Sequence, residues 1–184
     1  MKTKQIIGIA MLIIIALAHA SVTFALSIEG EIIPAPALPA GCEQLTVPAG
    51  NEVALRVYAV GVQVYRWNGT SWGFVAPEAN LFASPNYRGL IGTHYGGPTW
   101  ESSTGSLVIS SGTTAVPCTP DPTAVPWLRL TAVSTSGPGV FDGVTYIQRV
   151  NTVGGIRPTA NGEVVGQEAK IPYTTEYYFY KGAN

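Results

Sequence analysis

The segment NEVALRVYAVGVQVYRW, residues 51–67, alternates apolar side chains with others along most of its length. Val53, Leu55 and Val57 fall on one face, and Arg56 falls on the other. Successive side chains of an extended chain point to opposite faces, so this period of two predicts a β-strand.

A hairpin is predicted directly after this strand. Asn68-Gly69 is the dipeptide preferred in type I′ turns, because both central residues of such a turn take positive φ. Trp67 and Trp72 flank the turn and would face each other across the two strands. Gly61, inside the first strand, is predicted to form a bulge or a break.

Short alternating segments recur through the rest of the chain. Further strands are predicted at 72–82 (with Pro77 at an edge or bulge), 90–96, 106–111, 127–133, 144–152 and 170–180. The last has an aromatic face typical of a core, formed by Ile171, Tyr173, Thr175, Tyr177 and Phe179. Residues 98–105, rich in Ser, Thr and Gly, are predicted to be a loop. The sequence therefore predicts an all-β fold, an antiparallel sandwich or small barrel of about eight to ten short strands.

The N-terminus has the parts of a secretory signal peptide. Lys2 and Lys4 precede an apolar run over 6–17, and an A-x-A cleavage sequence ends at Ala20. We expect a protein that is secreted or on the exterior of the cell envelope, without a stable membrane span after cleavage. An uncleaved anchor is the alternative, because the apolar character continues to Leu26.

The predicted domains are a signal peptide (1–20), a proline-rich N-terminal tether (21–41) and a single all-β domain (42–184). The two cysteines of the chain, Cys42 and Cys118, are expected to form a disulfide, since pairing is usual in exported proteins. Closing a loop of that size would stabilise the fold by about 4 kcal/mol.

Composition excludes several kinds of function. Removing the leader leaves 8 of the 10 basic residues against all 11 acidic ones, which argues against a nucleic-acid partner. His94 is then the sole histidine, so paired-histidine metal sites are excluded. The stretch 152–155, TVGG, lacks the Gly-Lys-Ser/Thr and the following helix of a phosphate loop. We therefore expect no metal ion and no cofactor.

The segment GTHYGGPTWESSTGS, residues 92–106, places a histidine, a tryptophan and a carboxylate among four glycines. His94 could act as a general base oriented by Glu101 or Glu78, or it could simply donate to a backbone carbonyl in a packed layer. Trp100 and Glu101 could together form a platform for a sugar, or the tryptophan could belong to the core.

Gln148 and Arg149 lie next to each other in a predicted strand, so their side chains should point to opposite faces. A buried arginine needs a partner, and Glu78 or Glu101 is the carboxylate expected to pair with Arg149. A structural ion pair is the favoured interpretation, and substrate binding is the alternative.

Six segments occur in a characteristic order: GVQVYRW (61–67), PEANLF (77–82), GTHYGGPTWESSTGS (92–106), VPWLRL (125–130), IQRVNTVGGIRP (147–158) and IPYTTEYYFY (171–180). In these the chain resembles the secreted bacterial and fungal proteins grouped as domain of unknown function 3455, over nearly all of 42–181. That family has no established activity. The resemblance implies a shared polar cluster, because the family's motif positions fall on Gln63, Tyr65, His94, Trp100, Glu101, Gln148, Arg149 and Tyr173.

The leading interpretation is a secreted all-β module that binds a small or glycan-like ligand through this cluster. The alternatives are a secreted hydrolase or isomerase that uses His94 with a carboxylate, and a purely structural surface protein. They differ in whether His94, Glu101 and Arg149 line a common pocket or lie inside a packed layer.

Overall fold

The computed structural model describes residues 32–183, which are almost entirely β. The nine strands are β1 (Asn51–Trp67), β2 (Trp72–Phe82), β3 (Leu90–Tyr95), β4 (Thr99–Ser102), β5 (Leu107–Ser110), β6 (Val116–Cys118), β7 (Trp127–Ser136), β8 (Val144–Gly154) and β9 (Glu168–Gly182). Two 3-10 turns span Glu43–Leu45 and Gly112–Thr114. Within 32–183 no helix is long and apolar enough to cross a membrane. The predicted signal peptide and residues 21–31 of the predicted tether lie outside the described residues.

Eight of the strands close into an antiparallel barrel. The strand order is β5-β4-β3-β2-β1-β9-β8-β7, and β7 pairs back with β5 from Leu107↔Ser136 to Ser110↔Ala132. Strand β6 lies beside this ring and pairs with β7. The predicted all-β class is confirmed, and of the two predicted architectures the structure is the small barrel.

The first hairpin forms as predicted, but its turn is of a different kind. Trp67 and Trp72 are cross-strand partners with ring centroids 5.5 Å apart. The prediction of a type I′ turn is wrong, because Asn68 does not have positive φ. Its Oδ1 instead accepts hydrogen bonds from the backbone N–H groups of Thr70 and Ser71, each at 2.9 Å. The asparagine side chain thus takes the place of a backbone turn.

Gly61 and Pro77 of the first hairpin affect how β2 packs and pairs with its neighbours. The prediction of a bulge or break at Gly61 is wrong, because β1 is continuous there and its register shifts lie elsewhere. A Cβ at this position would come within 2.1 Å of the Glu78 carbonyl oxygen, so glycine permits a close approach of β2. Pro77 lies where β2 has one partner, since pairing with β3 begins at Ala79. That agrees with the predicted edge position.

Two short strands were not predicted from the sequence. β4 lies within residues 98–105, which were wrongly predicted to be a loop, and β6 lies in a stretch where no strand was predicted. β4 has only four residues, so alternation has too few repeats to be recognised. It pairs on both sides, with β3 and β5, and this pairing places Trp100 in the barrel wall.

Alternate residues of the strands fill the barrel interior. The buried cluster includes Val57, Leu81, Trp100, Val108, Leu130, Ile147, Tyr177 and Phe179. The predicted inner face of the last strand is confirmed for Tyr173, Thr175, Tyr177 and Phe179, which are all buried. Phe141, fully buried in the turn before β8, packs on Phe179 with ring centroids 4.8 Å apart. We call the part of the barrel around Phe141, Ser102 and Ser106 the closed end.

The segment before β1 packs on the outside of the barrel. The Cys42–Cys118 disulfide joins it to β6 with a Cα–Cα distance of 5.6 Å, so the predicted pairing is confirmed. Leu45 is fully buried, and its carbonyl accepts a hydrogen bond from Gln148 Nε2 at 2.7 Å. Tyr180 donates to the other end of the same amide, Gln148 Oε1. The Gln148 side chain is therefore held on the outer face of the barrel, under this segment.

Candidate functional site

A cavity of about 480 Å³ opens at the end of the barrel opposite Phe141. It lies between β1, β2, β3, β4, β7, β8 and β9, together with the turn between β3 and β4. Small-molecule sites usually enclose about 300–1,000 Å³. We call it the open-end cavity.

Five of the residues predicted from the sequence line the open-end cavity: Gln63, Tyr65, His94, Trp100 and Arg149. Tyr173 is buried beside it, close enough to Gln63 and Tyr177 for both to affect its pKa, which burial raises. The strands bring these side chains together because each occupies an inward position. The two remaining candidates, Glu101 and Gln148, occupy outward positions.

Glu101 lies on the outer face of β4, since its neighbour Trp100 points inward. Its Oε2 accepts a hydrogen bond from the Tyr95 hydroxyl at 2.8 Å. Trp100 is only 1% exposed and belongs to the core cluster. The two side chains therefore do not form a shared sugar platform.

Within residues 32–183 Arg149 is not paired with a carboxylate, so the predicted ion pair with Glu78 or Glu101 is wrong. Its Nε and Nη2 donate to the carbonyl oxygen of Pro126 at 3.1 and 2.8 Å. Glu78, one expected partner, instead binds Lys170 Nζ at 2.7 Å with both side chains about half exposed. Glu101, the other, lies outside the barrel. The alternation of the strands sends the arginine inward and both carboxylates outward.

His94 stacks on Trp100, its cross-strand partner, with ring centroids 4.2 Å apart and planes 9° apart. His94 Nδ1 lies 2.8 Å from the carbonyl oxygen of Thr99. Because a carbonyl can only accept, this contact assigns the proton to Nδ1 and leaves Nε2 unprotonated. Burial lowers the pKa of His94 to about 3, so the imidazole is neutral over the physiological range.

Among the described residues, no carboxylate lies beside His94 as an orienting partner. Within residues 32–183 each ion pair joins an arginine or lysine to a glutamate, and none includes the histidine. Glu78 and Glu101, the two residues considered as orienting partners, have contacts of their own on the outer face. A neutral, stacked imidazole with a depressed pKa is poorly suited to act as a base near neutral pH.

Several buried polar atoms around the cavity form no hydrogen bond of standard geometry within the described part of the chain, although the Tyr177 hydroxyl lies close to Trp100 and Arg149. These atoms are Gln63 Nε2, Trp100 Nε1, Tyr173 OH and Tyr177 OH. Buried polar groups are normally paired, and each unpaired group costs about 1–3 kcal/mol. Burial raises the pKa of Tyr177, and the positive charge of Arg149 opposes that rise, so the hydroxyl and the guanidinium are neighbours.

Reasoning from the sequence missed Tyr177 as a site residue. Its ring lines the cavity, and it lies opposite Arg149 in the register of β8 and β9. The alternation of β9 already placed it on the same face as Tyr173, but an aromatic face was taken to mean core. The apolar wall was also missed; it includes Phe74, Val125, Pro126, Leu128 and Leu130.

Arg149 is the charged residue among those that line the cavity within 32–183, and no carboxylate accompanies it there. In the same range no group of three or more His, Cys, Asp or Glu side chains is arranged to hold a metal ion. The chemistry of the site is thus that of hydrogen-bond donors, one guanidinium and an apolar wall.

These features define a closed antiparallel β-barrel with a ligand-sized cavity at one end. The model of the family described as Protein of unknown function (DUF3455) matches residues 48–181, so the chain belongs to that family. This confirms the resemblance seen in the sequence. No curated protein and no solved structure matches the chain significantly.

Proposed function

We propose that this protein is a secreted binding module that takes a small ligand into the open-end cavity. One observation carries the proposal: unpaired polar atoms of Gln63, Trp100 and Tyr177 are buried around a cavity of about 480 Å³. A ligand would supply the partners that the protein does not.

The cost of these groups argues against a purely structural role. Phenylalanine in place of Trp100 or Tyr177 would fill the core without an unpaired N–H or O–H, and exchanging such a group for an apolar one can be neutral or stabilising. Retaining both groups on the wall of a cavity therefore favours a binding role over a purely structural one. Buried donors that converge on a cavity are the usual arrangement of a small-molecule site.

The shape and the wall of the cavity favour a compact ligand. One face of the Trp100 indole is covered by His94, and Tyr177 packs edge-on against it. The ring is therefore not an open platform of the kind that an extended glycan chain would require. The volume and the apolar wall instead suit a ligand about the size of one or two rings.

The secreted location is part of the proposal. It rests on the signal peptide predicted over residues 1–20 and is supported by the Cys42–Cys118 disulfide, which is typical of an oxidising compartment.

Thermal unfolding and tryptophan fluorescence, measured on the chain from residue 21 against a panel of small metabolites and sugars, test the proposal. At least one compound should raise the unfolding temperature and change the fluorescence. The fluorescence change should disappear in Trp100→Phe and persist in Trp127→Phe, because Trp127 packs in the outer cluster with Tyr178 and Tyr180. Failure of every compound to stabilise the protein, or a signal that survives in Trp100→Phe, would count against ligand binding in this cavity.

A further inference from the structure

Arg149 is the group that most restricts the chemistry of the ligand. Two of its nitrogens, Nε and Nη2, are held by the single carbonyl oxygen of Pro126. Its Nη1 forms no hydrogen bond of standard geometry within residues 32–183. The guanidinium lies close to the Tyr177 hydroxyl, and the side chain lines the cavity. The Pro126 contact fixes the plane of the guanidinium without neutralising it. A fixed guanidinium is well suited to bind a planar anion such as a carboxylate.

The other unpaired groups around the cavity are mainly donors. Trp100 Nε1 can only donate, as can Gln63 Nε2, and the Tyr177 hydroxyl has a proton to give. The Tyr65 hydroxyl is already engaged, since it donates to the Gly155 carbonyl at 2.7 Å. A ligand that satisfies this set must present several acceptor atoms close together.

The charge around the cavity is positive. The Arg149 charge is partly buried, and no acidic side chain lines the cavity within the described residues to compensate it. Arg157 lies near the rim, since its charge, like that of Arg149, lowers the pKa of Tyr65 against the larger rise caused by burial. A partly buried and uncompensated charge is costly, and an anionic ligand would offset that cost.

We propose that the ligand is a small organic carboxylate with a ring or a short apolar body. Its carboxylate would be bound by Arg149, Trp100 Nε1 and the Tyr177 hydroxyl, and its body would lie on the apolar wall that includes Val125 and Leu128. This inference rests on the proposed function and adds the chemical class of the ligand.

The protonation state of His94 agrees with this assignment. Its pKa of about 3 keeps the ring neutral, so the positive charge of the site comes from the arginine and does not depend on pH near neutrality. Affinity for a carboxylate should therefore stay constant between about pH 6 and pH 8.

Matched pairs of probes test the inference by isothermal titration calorimetry on the chain from residue 21. The pairs are benzoate with benzamide, indole-3-acetate with indole-3-acetamide, and glucuronate with glucose. Within each pair the shape is nearly constant and the charge changes. For the pair that fits the cavity, the carboxylate should bind about tenfold or more tightly than its neutral partner, as expected for a charge-assisted pair.

Variants assign the effect to the site. Arg149→Gln should abolish the preference for the carboxylate, and Tyr177→Phe, which keeps the ring, should weaken carboxylate binding about fivefold. Arg88→Gln removes an exposed charge in the turn between β2 and β3 that does not line the cavity, and it should leave the preference nearly unchanged. Circular dichroism and thermal unfolding of each variant show whether it is folded.

The outcomes separate the two levels of the proposal. A neutral probe that binds as well as or better than its carboxylate partner would overturn the inference while leaving a small-ligand cavity in place. A preference that survives in folded Arg149→Gln would also overturn it. Absence of binding by all six probes, carboxylate and neutral alike, would count against the inference and the proposed function together.

Discussion

Both ends of this barrel bury polar groups, but these groups are hydrogen-bonded at the closed end and unpaired at the open end within residues 32–183. At the closed end the Ser102 and Ser106 hydroxyls lie 2.9 Å apart, and the Ser106 hydroxyl accepts the backbone N–H of Phe141 at 3.3 Å. At the open end the indole N–H of Trp100 and the hydroxyl of Tyr177 have no partner within residues 32–183. The contrast even lies within one strand, since Trp100 and Ser102 are inward neighbours on β4.

The contrast shows that burial by itself does not distinguish the closed end from the end that we propose binds a ligand. Ser106 is fully buried and Trp100 is 1% exposed, so exposure would rank them alike. The completeness of hydrogen bonding separates them, because a paired polar group contributes to stability and an unpaired one costs it. The closed end therefore stabilises the barrel, and the open end has the donors that we propose a ligand pairs.

The largest expected difference between the ends is in the unfolding free energy that is lost when an aromatic side chain is removed. Phe141→Ala should lower the free energy of unfolding by about 3–5 kcal/mol, because it opens a hole beneath a fully buried ring. Phe74→Ala, at the rim of the cavity, should cost about 0.5 kcal/mol or less, since that side chain is 57% exposed. Urea denaturation of both variants measures the difference. Equal losses would mean that the two ends contribute equally to the core.

Acid should destabilise the protein because His94, at the open end, is buried and neutral in the folded state. His94 has a pKa of about 3 in the folded state and an ordinary value of 6.5, so between these values the unfolded chain binds a proton that the folded chain does not. Stability is therefore full above about pH 6.5 and falls as the pH is lowered, by about 2 kcal/mol between pH 8 and pH 5.

His94→Asn tests this acid sensitivity, because asparagine keeps a donor for the Thr99 carbonyl and does not titrate. Its unfolding free energy should be nearly independent of pH between about pH 5 and pH 7. In the chain from residue 21 onward His94 is the sole histidine, so no other imidazole contributes in this range. An unchanged slope in the variant would show that His94 is not the group responsible.

Removing one buried hydroxyl from each end should give a smaller difference in unfolding free energy. Ser106→Ala should cost about 1–2 kcal/mol, because the N–H of Phe141 loses its acceptor. Tyr177→Phe should be neutral or slightly stabilising, since it removes a buried hydroxyl that has no partner within 32–183. Thermal and urea unfolding without added ligand would decide the sign. A clear loss of stability in Tyr177→Phe would mean that this hydroxyl already has a structural partner.

The smallest effect on stability and on probe affinity is expected for a substitution on the outer face of the barrel. Glu101→Gln alters a hydrogen bond with the exposed Tyr95 hydroxyl and should change stability by about 0.5 kcal/mol or less. It should leave probe affinity within about twofold, because the side chain does not line the cavity. A loss of probe affinity in this variant would mean that Glu101 takes part in ligand binding despite its outward position.

Much of the fold could be predicted from the sequence because the long strands alternate over many residues. β1 and β9 were recognised almost to their ends, and the pairing of Trp67 with Trp72 followed from the turn between them. β4 could not be recognised in the same way, since four residues give too few alternations. The barrel itself depends on β5 pairing with β7, a contact between segments that no local pattern reveals.

The site was predicted in part for the same reason. His94, Trp100 and Arg149 were singled out by residue type, and the barrel places all three on its inner face. Glu101 was grouped with them because it is adjacent in sequence, yet adjacent strand residues face opposite sides. Knowledge that residues 99–102 form a strand would have excluded Glu101. The register of β8 and β9, which pairs Arg149 with Tyr177, would have pointed to Tyr177.

The central claim is that the unpaired donors of the open end bind a ligand, and the indole N–H resonances report on it most directly. The chain has four tryptophans, and Trp72 Nε1 already donates to the Ala160 carbonyl at 2.8 Å. On titration with the tightest-binding carboxylate probe, the Trp100 Nε1–H signal in a ¹H–¹⁵N spectrum should move downfield as its proton gains an acceptor. The Trp72 signal should stay in place. A Trp100 resonance that does not move while the probe binds would contradict the account.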